Sequence, residues 1–271
     1  MIGQTELIND IKVLIDREKY PRFSIFVGRK GSGRKTLATE VALALHHNPI
    51  VLGDVKVDTI RSMITNAYKA TIPLLYIIPD AENMSMQAKN ALLKVTEEPP
   101  NNAYFIMTVT DESQLLDTIK SRGTIFHMDT YTPTEIGKYA MCNNVDDAEI
   151  ITSICEVPGD VDLVKSYDPV KFYDYVESVV DNIAETSGSN SFKIGNKIAL
   201  KDDPEKYDLS LFWRTFMLVC LDRVSRVREN SLKLTKGVKI TSNYIQQLNI
   251  TGINKQSLFD NWVLDIREEW I

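Results

Sequence analysis

The sequence predicts an α/β fold with a mostly parallel sheet, followed by helical domains. Short apolar segments with strand character alternate with longer segments of helical spacing up to Met128, and beyond that residue the strand signal fades. With 271 residues, the chain is longer than a single hydrophobic core usually supports, so we expect two or three domains. A hydrophobic content of 44% and a charged content of 25% are typical of an ordinary soluble globular protein.

Five segments are predicted to be strands of one sheet. They are Phe23 to Val27, Pro49 to Leu52, Leu74 to Ile78, Tyr104 to Val109 and Thr124 to Met128. The segments between most of them have helical spacing; Leu37 and Val41, for example, place apolar groups on one helix face. Strands that alternate with helices predict a mostly parallel sheet covered on both sides.

The remainder of the chain is predicted to be helical. Thr132-Pro133-Thr134-Glu135 indicates a helix start with proline at an early position, and Asp168-Pro169 indicates a break after a small helical unit. The polar segment from Glu185 to Asn190 is interpreted as a loop between helices. These signals divide the chain into residues 1–129, 130–168 and 169–271.

The three cysteines, Cys142, Cys155 and Cys220, lie far apart and form no C-x-x-C pair. This spacing argues against a zinc module and against a disulfide framework, so we interpret the cysteines as small buried hydrophobic residues. No metal site is predicted. The net charge of −6 disfavours a protein that coats nucleic acid by charge alone.

The sequence indicates neither a secretory signal nor a membrane helix. The N-terminal segment mixes charges into its apolar positions, and the apolar run from Phe216 to Leu221 is far too short to cross a bilayer. We therefore expect a cytoplasmic protein with no membrane contact.

A glycine-rich turn follows the first predicted strand and precedes a helix. It reads Gly28-Arg29-Lys30-Gly31-Ser32-Gly33-Arg34-Lys35-Thr36. Glycines allow backbone N–H groups to surround an anion at a helix N-terminus. In an intact P-loop the last glycine is followed by Lys, which contacts the β- and γ-phosphates, and then by Ser or Thr, whose hydroxyl holds Mg²⁺. Those two positions here are Arg34 and Lys35.

Both substitutions weaken the predicted nucleotide site. Arg34 keeps the positive charge but has a wide planar head, and Lys35 supplies no hydroxyl for a metal. Shifting the register by one residue would restore Lys35-Thr36 but would put Arg34 at the last glycine position. The turn either binds ATP or ADP weakly or remains as scaffold, and no cofactor is required. The candidate nucleotide-binding residues are Gly28, Gly31, Ser32, Gly33, Arg34, Lys35 and Thr36.

Three further parts of the sequence carry a resemblance to a known family. The segment Leu75 to Met84, followed by Asn90 to Lys94 and then Glu97-Glu98-Pro99-Pro100, resembles the Walker B strand and next helix of bacterial DNA clamp-loader ATPases and their delta-prime relatives. Ile2-Gly3-Gln4 resembles the opening of that family. Thr118 to Gly123 resembles its serine-arginine-cysteine motif with the last residue changed.

The resemblance implies an AAA+ fold and a ring-forming subunit. Its parts would be a P-loop domain with a five-stranded, mostly parallel sheet (1–129), a small helical lid (130–168) and a helical collar for oligomerisation (169–271). In this family an Asp at the end of the Walker B strand holds Mg²⁺ and an adjacent acid polarises the attacking water. This chain has Pro79 and Asp80 at those two positions, so it is not expected to hydrolyse ATP by itself.

The resemblance also assigns a catalytic role in trans to Arg122. In the family the corresponding arginine reaches the ATP site of a neighbouring subunit; the alternative is an ordinary surface arginine. Thr110 lies at about the position of the polar sensor-1 residue of the family. The alternative is that Thr108 and Thr110 are ordinary strand residues. Val157 to Asp162 resembles the turn that opens the sensor-2 helix, but no arginine stands there.

The predicted function is that of a delta-prime-type subunit of the DNA polymerase III clamp loader. Its partners would be gamma/tau-type motor subunits, a delta-type subunit, the sliding clamp and, through the assembled complex, primed DNA. One alternative is an ATP-hydrolysing motor subunit or another AAA+ ATPase, and another is a P-loop scaffold or DNA-binding protein outside replication. A basic run is interpreted as a solvated face, with DNA contact as the alternative: Arg223, Arg226, Arg228, Lys233, Lys236 and Lys239, against Glu229.

Overall fold

The chain forms two compact units, Met1–Tyr131 and Thr132–Ile271. The structure, a computed structural model, describes residues 2–183, 194–199, 206–226, 231–248 and 253–270. The predicted loop at Glu185 to Asn190 lies outside these residues. The further division of the second unit at residue 168 stays a prediction. Within the described ranges, no helix has the length and apolar character that crossing a membrane requires.

The first unit contains a five-stranded parallel sheet with helices on both faces, which confirms the predicted fold class. The sheet order is β2-β3-β4-β1-β5. The strands are β1 (Phe23–Val27), β2 (Asn48–Val51), β3 (Leu74–Ile78), β4 (Ala103–Val109) and β5 (Thr124–His127). The helices are α1 (Thr5–Asp16), α2 (Arg34–Ala44), α3 (Val57–Lys69), α4 (Met86–Glu97) and α5 (Asp117–Lys120). Every predicted strand is present, with its ends shifted by at most one residue.

Helices cover both faces of the sheet. Alternate side chains of its central strands point to opposite sides and pack into these two layers. Phe23 and Ile25 of β1 pack with α3 and α4 on one face, where Ile60 and Leu92 are fully buried. Phe26 packs on the other face with residues of α1 and α2. All five residues of β1 are buried, which explains why its sequence reads as a mainly apolar run.

The parallel arrangement brings three chain segments to one edge of the sheet. The glycine-rich turn follows the carboxyl end of β1, the turn containing Asp80 follows β3, and Thr110 follows β4. Since β1 pairs with β4 and β4 pairs with β3, these three segments are neighbours in space. Ligands of open parallel sheets bind at this carboxyl edge.

The second unit is mainly helical, as predicted. Its helices are α6 (Pro133–Cys142), α7 (Ala148–Ile154), α8 (Pro158–Lys165), α9 (Pro169–Asn182), α10 (Leu209–Arg226), α11 (Ser231–Leu248) and α12 (Lys255–Trp270). Thr132 caps α6 in a reciprocal capping box with Glu135, and Asp168 caps α9 directly before Pro169. The predicted helix start at Thr132 and the predicted break at Asp168-Pro169 are therefore confirmed.

Two short strands in the second unit were not predicted. Strand β6 (Ile198–Ala199) pairs in parallel with β7 (Tyr207–Asp208). Two-residue strands are too short to produce the alternating apolar pattern from which strands are predicted.

The prediction for the cysteines was wrong for one of the three. Cys155 and Cys220 are buried, and burial raises the pKa of each thiol to about 12. Cys142 is exposed because it lies in the last turn of α6, on the side away from the buried Ile136 and Ala140. Spacing in the sequence excludes a metal or disulfide motif but does not report on the exposure of a single helical residue.

Candidate functional site

The glycine-rich turn connects β1 to α2 in the geometry of a phosphate-binding loop. Gly31 and Gly33 have φ angles of 86° and 89°, a left-handed conformation that favours glycine. Gly33 is the N-cap of α2, and its carbonyl accepts a hydrogen bond of 2.9 Å from the amide of Leu37. The helix therefore begins at Arg34, the first of the two residues that depart from the P-loop pattern.

Asp80 pairs with both cations at the start of α2. Nη2 of Arg34 donates to Oδ1 of Asp80 at 3.2 Å, and Nζ of Lys35 lies 3.4 Å from Oδ2 of the same carboxylate. In an intact P-loop enzyme, the cation of this turn contacts phosphate and the acid after β3 serves the hydrolytic reaction. Here the carboxylate of Asp80 pairs with both cations, Arg34 and Lys35, of its own chain.

The Arg34 side chain is buried and depends on its acidic neighbours. Only 5% of the side chain is exposed, and burial lowers the pKa of its guanidinium, while the charges of Asp80 and Glu82 raise it. A buried cation without a counter-charge is strongly disfavoured. We infer that Asp80 is the principal counter-ion of Arg34, because it is the acid in direct contact with the guanidinium.

Two threonines of β4 and its extension hold the acidic turn after β3. The amide of Asp80 donates to Oγ1 of Thr108 at 3.1 Å, and Asp80 has a left-handed φ of 47°. Thr110 donates to Oε1 of Glu82 through its amide at 3.2 Å and through its hydroxyl at 2.8 Å. These contacts give both threonines a structural part in the site, and the sensor role of Thr110 stays a prediction.

The other predicted loop residues differ in their surroundings. Ser32 is buried; its hydroxyl contacts Sδ of Met128 at 3.4 Å, and its carbonyl accepts a hydrogen bond of 2.7 Å from the hydroxyl of Tyr131. Gly28 packs against Met128 so closely that an added Cβ would lie 2.9 Å from the methionine Cβ. Thr36 is exposed in the first turn of α2. The turn is thus held firmly along its inner side.

Arg122 lies on the loop between α5 and β5 and is bound to the end of α4. Its Nε donates to Oε1 of Glu97 at 3.0 Å, its Nη2 donates to the same oxygen, and its Nη1 donates to the carbonyl of Thr118. The side chain is 26% exposed. Arg122 makes these contacts outside the P-loop turn of its own chain, and its role in trans stays a prediction.

Gly123 has no space for a side chain, which accounts for the change in the last position of the serine-arginine-cysteine motif. A Cβ at this residue would lie 2.8 Å from Cδ1 of Ile25 and 2.9 Å from Cε1 of Phe23. Contacts this short require the neighbouring side chains to move. The space that a cysteine would fill is thus taken by two residues of β1.

We predict that Gly123→Ala lowers the free energy of unfolding by about 1–3 kcal/mol, because the added methyl group overpacks the contact with Phe23 and Ile25. Gly53→Ala is the matched control, since a Cβ at Gly53 has no atom within 4 Å. Urea denaturation followed by circular dichroism measures both variants. Equal stability of the two variants would show that β1 adjusts without cost.

In the second unit, the turn that resembles the sensor-2 start contains a buried ion pair. Asp160 of α8 binds Arg214 of α10 through two hydrogen bonds, Nη1 to Oδ2 at 2.7 Å and Nη2 to Oδ1 at 2.8 Å. Asp162, two residues after Asp160, accepts a hydrogen bond of 3.1 Å from the hydroxyl of Tyr139. An arginine is therefore present beside this turn, but it comes from another helix and is bound to a carboxylate.

Three of the six residues in the predicted basic run pair with carboxylates, and a fourth donates to a carbonyl. Arg228 and Glu229 lie outside the described residues. Of the remaining five basic residues, Arg223 pairs with Asp181, Arg226 with Asp222, Lys233 with the carbonyl of Trp270, and Lys236 with Glu269, while Lys239 is exposed on α11. These pairings favour a solvated face over a DNA-contacting one.

The sequence prediction identified Arg34, Lys35 and Asp80, and the structure brings these three residues together. The sequence prediction did not identify Glu97 as the partner of Arg122, or Arg214 as the partner of Asp160. A signal for Glu97 existed in its position, because an acid at the end of a helix is unfavourable unless a cation compensates it. No signal within the α8 sequence pointed to Arg214.

The chain is similar to replication proteins of the clamp-loader type. Residues 51–132 match the model of a family described as DNA polymerase III, delta subunit. Replication factor C small subunit of Thermofilum pendens is 28% identical over 140 residues, covering 46% of this chain and 42% of that protein. DNA polymerase III subunit tau of Bacillus subtilis is 26% identical over 179 residues, covering 55% of this chain and 31% of that protein. The matches span less than half the length of both relatives.

Solved structures share the fold. A DNA polymerase III gamma subunit-related protein from Thermotoga maritima has a TM-score of 0.54 at 18% identity, with 97% of this chain and 99% of that chain covered. The RuvB Holliday junction branch migration motor of Thermotoga maritima has a TM-score of 0.50 at 17% identity, with 83% and 78% covered. At these identities the likeness concerns the fold alone.

Proposed function

We propose that this chain is an AAA+ protein of the clamp-loader family, and within that family a delta-prime-type subunit of a bacterial DNA polymerase III clamp loader. In this role it helps to load a sliding clamp on primed DNA during replication. It does not hydrolyse ATP itself, and it contributes Arg122 to the ATP site of a neighbouring subunit. The match to the delta-subunit family model and the gamma and tau relatives support the proposal.

The ion pairing of Asp80 with Arg34 and Lys35 is the observation that carries the proposal. Hydrolysis in this class of ATPase needs Mg²⁺ ligands and an acid that orients the attacking water. Pro79 provides no carboxylate, Lys35 provides no hydroxyl, and the carboxylate of Asp80 is bound to two cations. The residues present therefore do not fit Mg²⁺, and a nucleotide at this turn would have to displace Asp80 from Arg34.

Arg122 can act although the P-loop of its own chain is defective. It lies outside that site, on the loop between α5 and β5. A planar cation placed against the γ-phosphate of a neighbour's ATP stabilises the charge that develops during phosphoryl transfer. The chemistry would belong to the neighbour, and this chain would supply one side chain and a rigid position for it.

The partners follow from the proposed role. A gamma/tau-type motor subunit would bind the ATP that Arg122 contacts, and a delta-type subunit would complete the ring. The sliding clamp and primed DNA would be contacted by the assembled complex. The helical part of the second unit, from Pro169 onward, is proposed as the collar that joins the subunits.

Reconstitution tests this function. We expect the isolated chain to show no ATP hydrolysis above background, with or without primed DNA, because its site lacks Mg²⁺ ligands. Mixed with the motor and delta-type subunits of the same source, it should form a complex that loads a sliding clamp in the presence of ATP. Omission of this chain from the mixture should abolish loading.

A different outcome would identify the motor alternative. Steady ATP turnover by the isolated chain that is abolished by Arg34→Ala would show that the turn is catalytic despite its sequence. Failure to associate with either partner would instead favour a P-loop scaffold outside replication.

A further inference from the structure

Arg122 is held in a defined orientation by its own chain. Three of its five N–H groups are used: Nε and one N–H of Nη2 donate to Oε1 of Glu97, and one N–H of Nη1 donates to the carbonyl of Thr118. The Nε and Nη2 donors share one edge of the guanidinium, and Glu97 covers that edge. The two remaining N–H groups, one on Nη1 and one on Nη2, are the outer donors that can bind phosphate oxygens.

The loop that carries Arg122 is fixed at the backbone as well. The amides of Arg122 and Gly123 donate to the carbonyl of Ile119 at 3.1 and 3.2 Å, and Gly123 packs against Phe23 and Ile25 of β1. The direction of the guanidinium plane is then set by the two acceptors of this side chain, the carboxylate of Glu97 and the carbonyl of Thr118.

Stability alone does not explain a carboxylate at the position of Glu97. It is the last residue of α4, where the helix dipole disfavours a negative charge, and its side chain is 51% exposed. An ion pair this exposed contributes little to folding. A bond to both donors of one guanidinium edge does, however, fix the orientation of an otherwise flexible side chain.

We infer that Glu97 is a positioning residue for Arg122, which holds the guanidinium so that its outer pair of N–H donors faces the γ-phosphate of ATP bound by the adjoining subunit. This inference rests on the proposed function and adds to it the residue that orients the catalytic arginine. It gives the first glutamate of the Glu97-Glu98-Pro99-Pro100 motif a role in the reaction of the neighbour.

The test uses the reconstituted complex and measures kcat and KM for ATP hydrolysis by the motor subunit. We expect Glu97→Ala to lower kcat by about 10-fold with KM unchanged, because an arginine held only by the carbonyl of Thr118 is less precisely placed in the transition state. Glu97→Gln should stay within about 3-fold of the wild type, since the amide oxygen accepts the same two hydrogen bonds. Glu98→Ala, at the adjacent exposed acid, is the matched control and should have no effect.

The outcomes separate this inference from the proposed function. If Arg122→Ala abolishes hydrolysis and Glu97→Ala has wild-type kcat, Glu97 does not position the arginine. A fall of Glu97→Gln to the level of Glu97→Ala, or an increase of kcat in Glu97→Ala, would also overturn the inference. If Arg122→Ala itself has no effect, the proposed function fails and the inference fails with it. The melting temperature of each variant, measured beforehand, should equal that of the wild type.

Discussion

Replacing Arg122 by alanine is expected to reduce ATP hydrolysis by the neighbouring clamp-loader subunit by about 10³-fold or more, while the complex still assembles. An arginine supplied in trans stabilises charge on the transferred phosphoryl group, and this contribution exists only in the transition state. The fall should therefore appear in kcat, with little change in KM. Single-turnover hydrolysis in the purified complex is the measurement.

Two variants define the origin of this effect. Arg122→Lys keeps the charge but lacks the planar pair of donors, so it should recover only a small part of the activity. Arg61→Ala removes an exposed arginine from α3 and should leave hydrolysis unchanged. Wild-type kcat in an assembled Arg122→Ala complex would contradict the role in trans. Loss of assembly would be detected separately by gel filtration.

The sheet could be predicted from the sequence because its strands are short, apolar and buried on both faces. Phe23–Val27 is buried at every position, so it appears as a mainly apolar run between Pro21-Arg22 and Gly28. The helix start at Thr132 and the break at Asp168-Pro169 were equally visible in the sequence. The pairing of β6 with β7 could not be predicted, because two-residue strands carry no periodicity.

The residues of the candidate site could be predicted from the sequence, but the ion pairs between them could not. Arg34 and Lys35 were identified as departures from a phosphate-loop pattern, and Asp80 from the strand that follows. Their mutual ion pairs depend on a contact between residues 46 positions apart, which local patterns do not encode. The same is true of Glu97 with Arg122 and of Asp160 with Arg214, which are 25 and 54 positions apart.

These pairings change the interpretation of the substitutions in the turn. From the sequence, Arg34 and Lys35 look like the loss of a nucleotide site. In the structure, Arg34 is a buried cation whose counter-ion is Asp80. The acid that remained after β3 thus has a structural function, since it neutralises a charge that would otherwise be buried without a partner.

The second unit contains the ion pair whose removal should cost the most stability. The side chains of Asp160 and Arg214 are 6% and 10% exposed and are joined by two hydrogen bonds. Asp160 also accepts from the amides of Glu156 and Val157 at 3.0 and 3.3 Å, so it satisfies donors at the start of α8. The carboxylate therefore connects the first turn of α8 with α10.

We expect Asp160→Ala to lower the free energy of unfolding of the second unit by about 3–5 kcal/mol. The loss arises because the buried Arg214 cation keeps only the more distant carboxylate of Glu156, at 4.0 Å, and because two amides lose their acceptor. Asp162→Ala is the matched control on the same helix, where the acid is exposed and bonds only to the hydroxyl of Tyr139 in the described structure; it should cost less than about 1 kcal/mol.

The double variant Asp160→Ala with Arg214→Met distinguishes a lost ion pair from a lost cap. Methionine keeps the apolar stem of the arginine but removes the buried charge, so the two changes should cost less together than the sum of the single changes. Any loss that persists in the double variant is then assigned to the amides of Glu156 and Val157. Additive losses would show that the two side chains contribute independently.

The distribution of tryptophan makes this measurement selective. All three tryptophans, Trp213, Trp262 and Trp270, belong to the second unit, and Trp213 and Trp262 are fully buried. Tryptophan fluorescence during urea denaturation therefore reports on the second unit, whereas far-ultraviolet circular dichroism reports on both. Asp160→Ala should shift the fluorescence midpoint to lower urea. An unchanged fluorescence midpoint would show that the Asp160–Arg214 pair does not stabilise the unit in which it is buried.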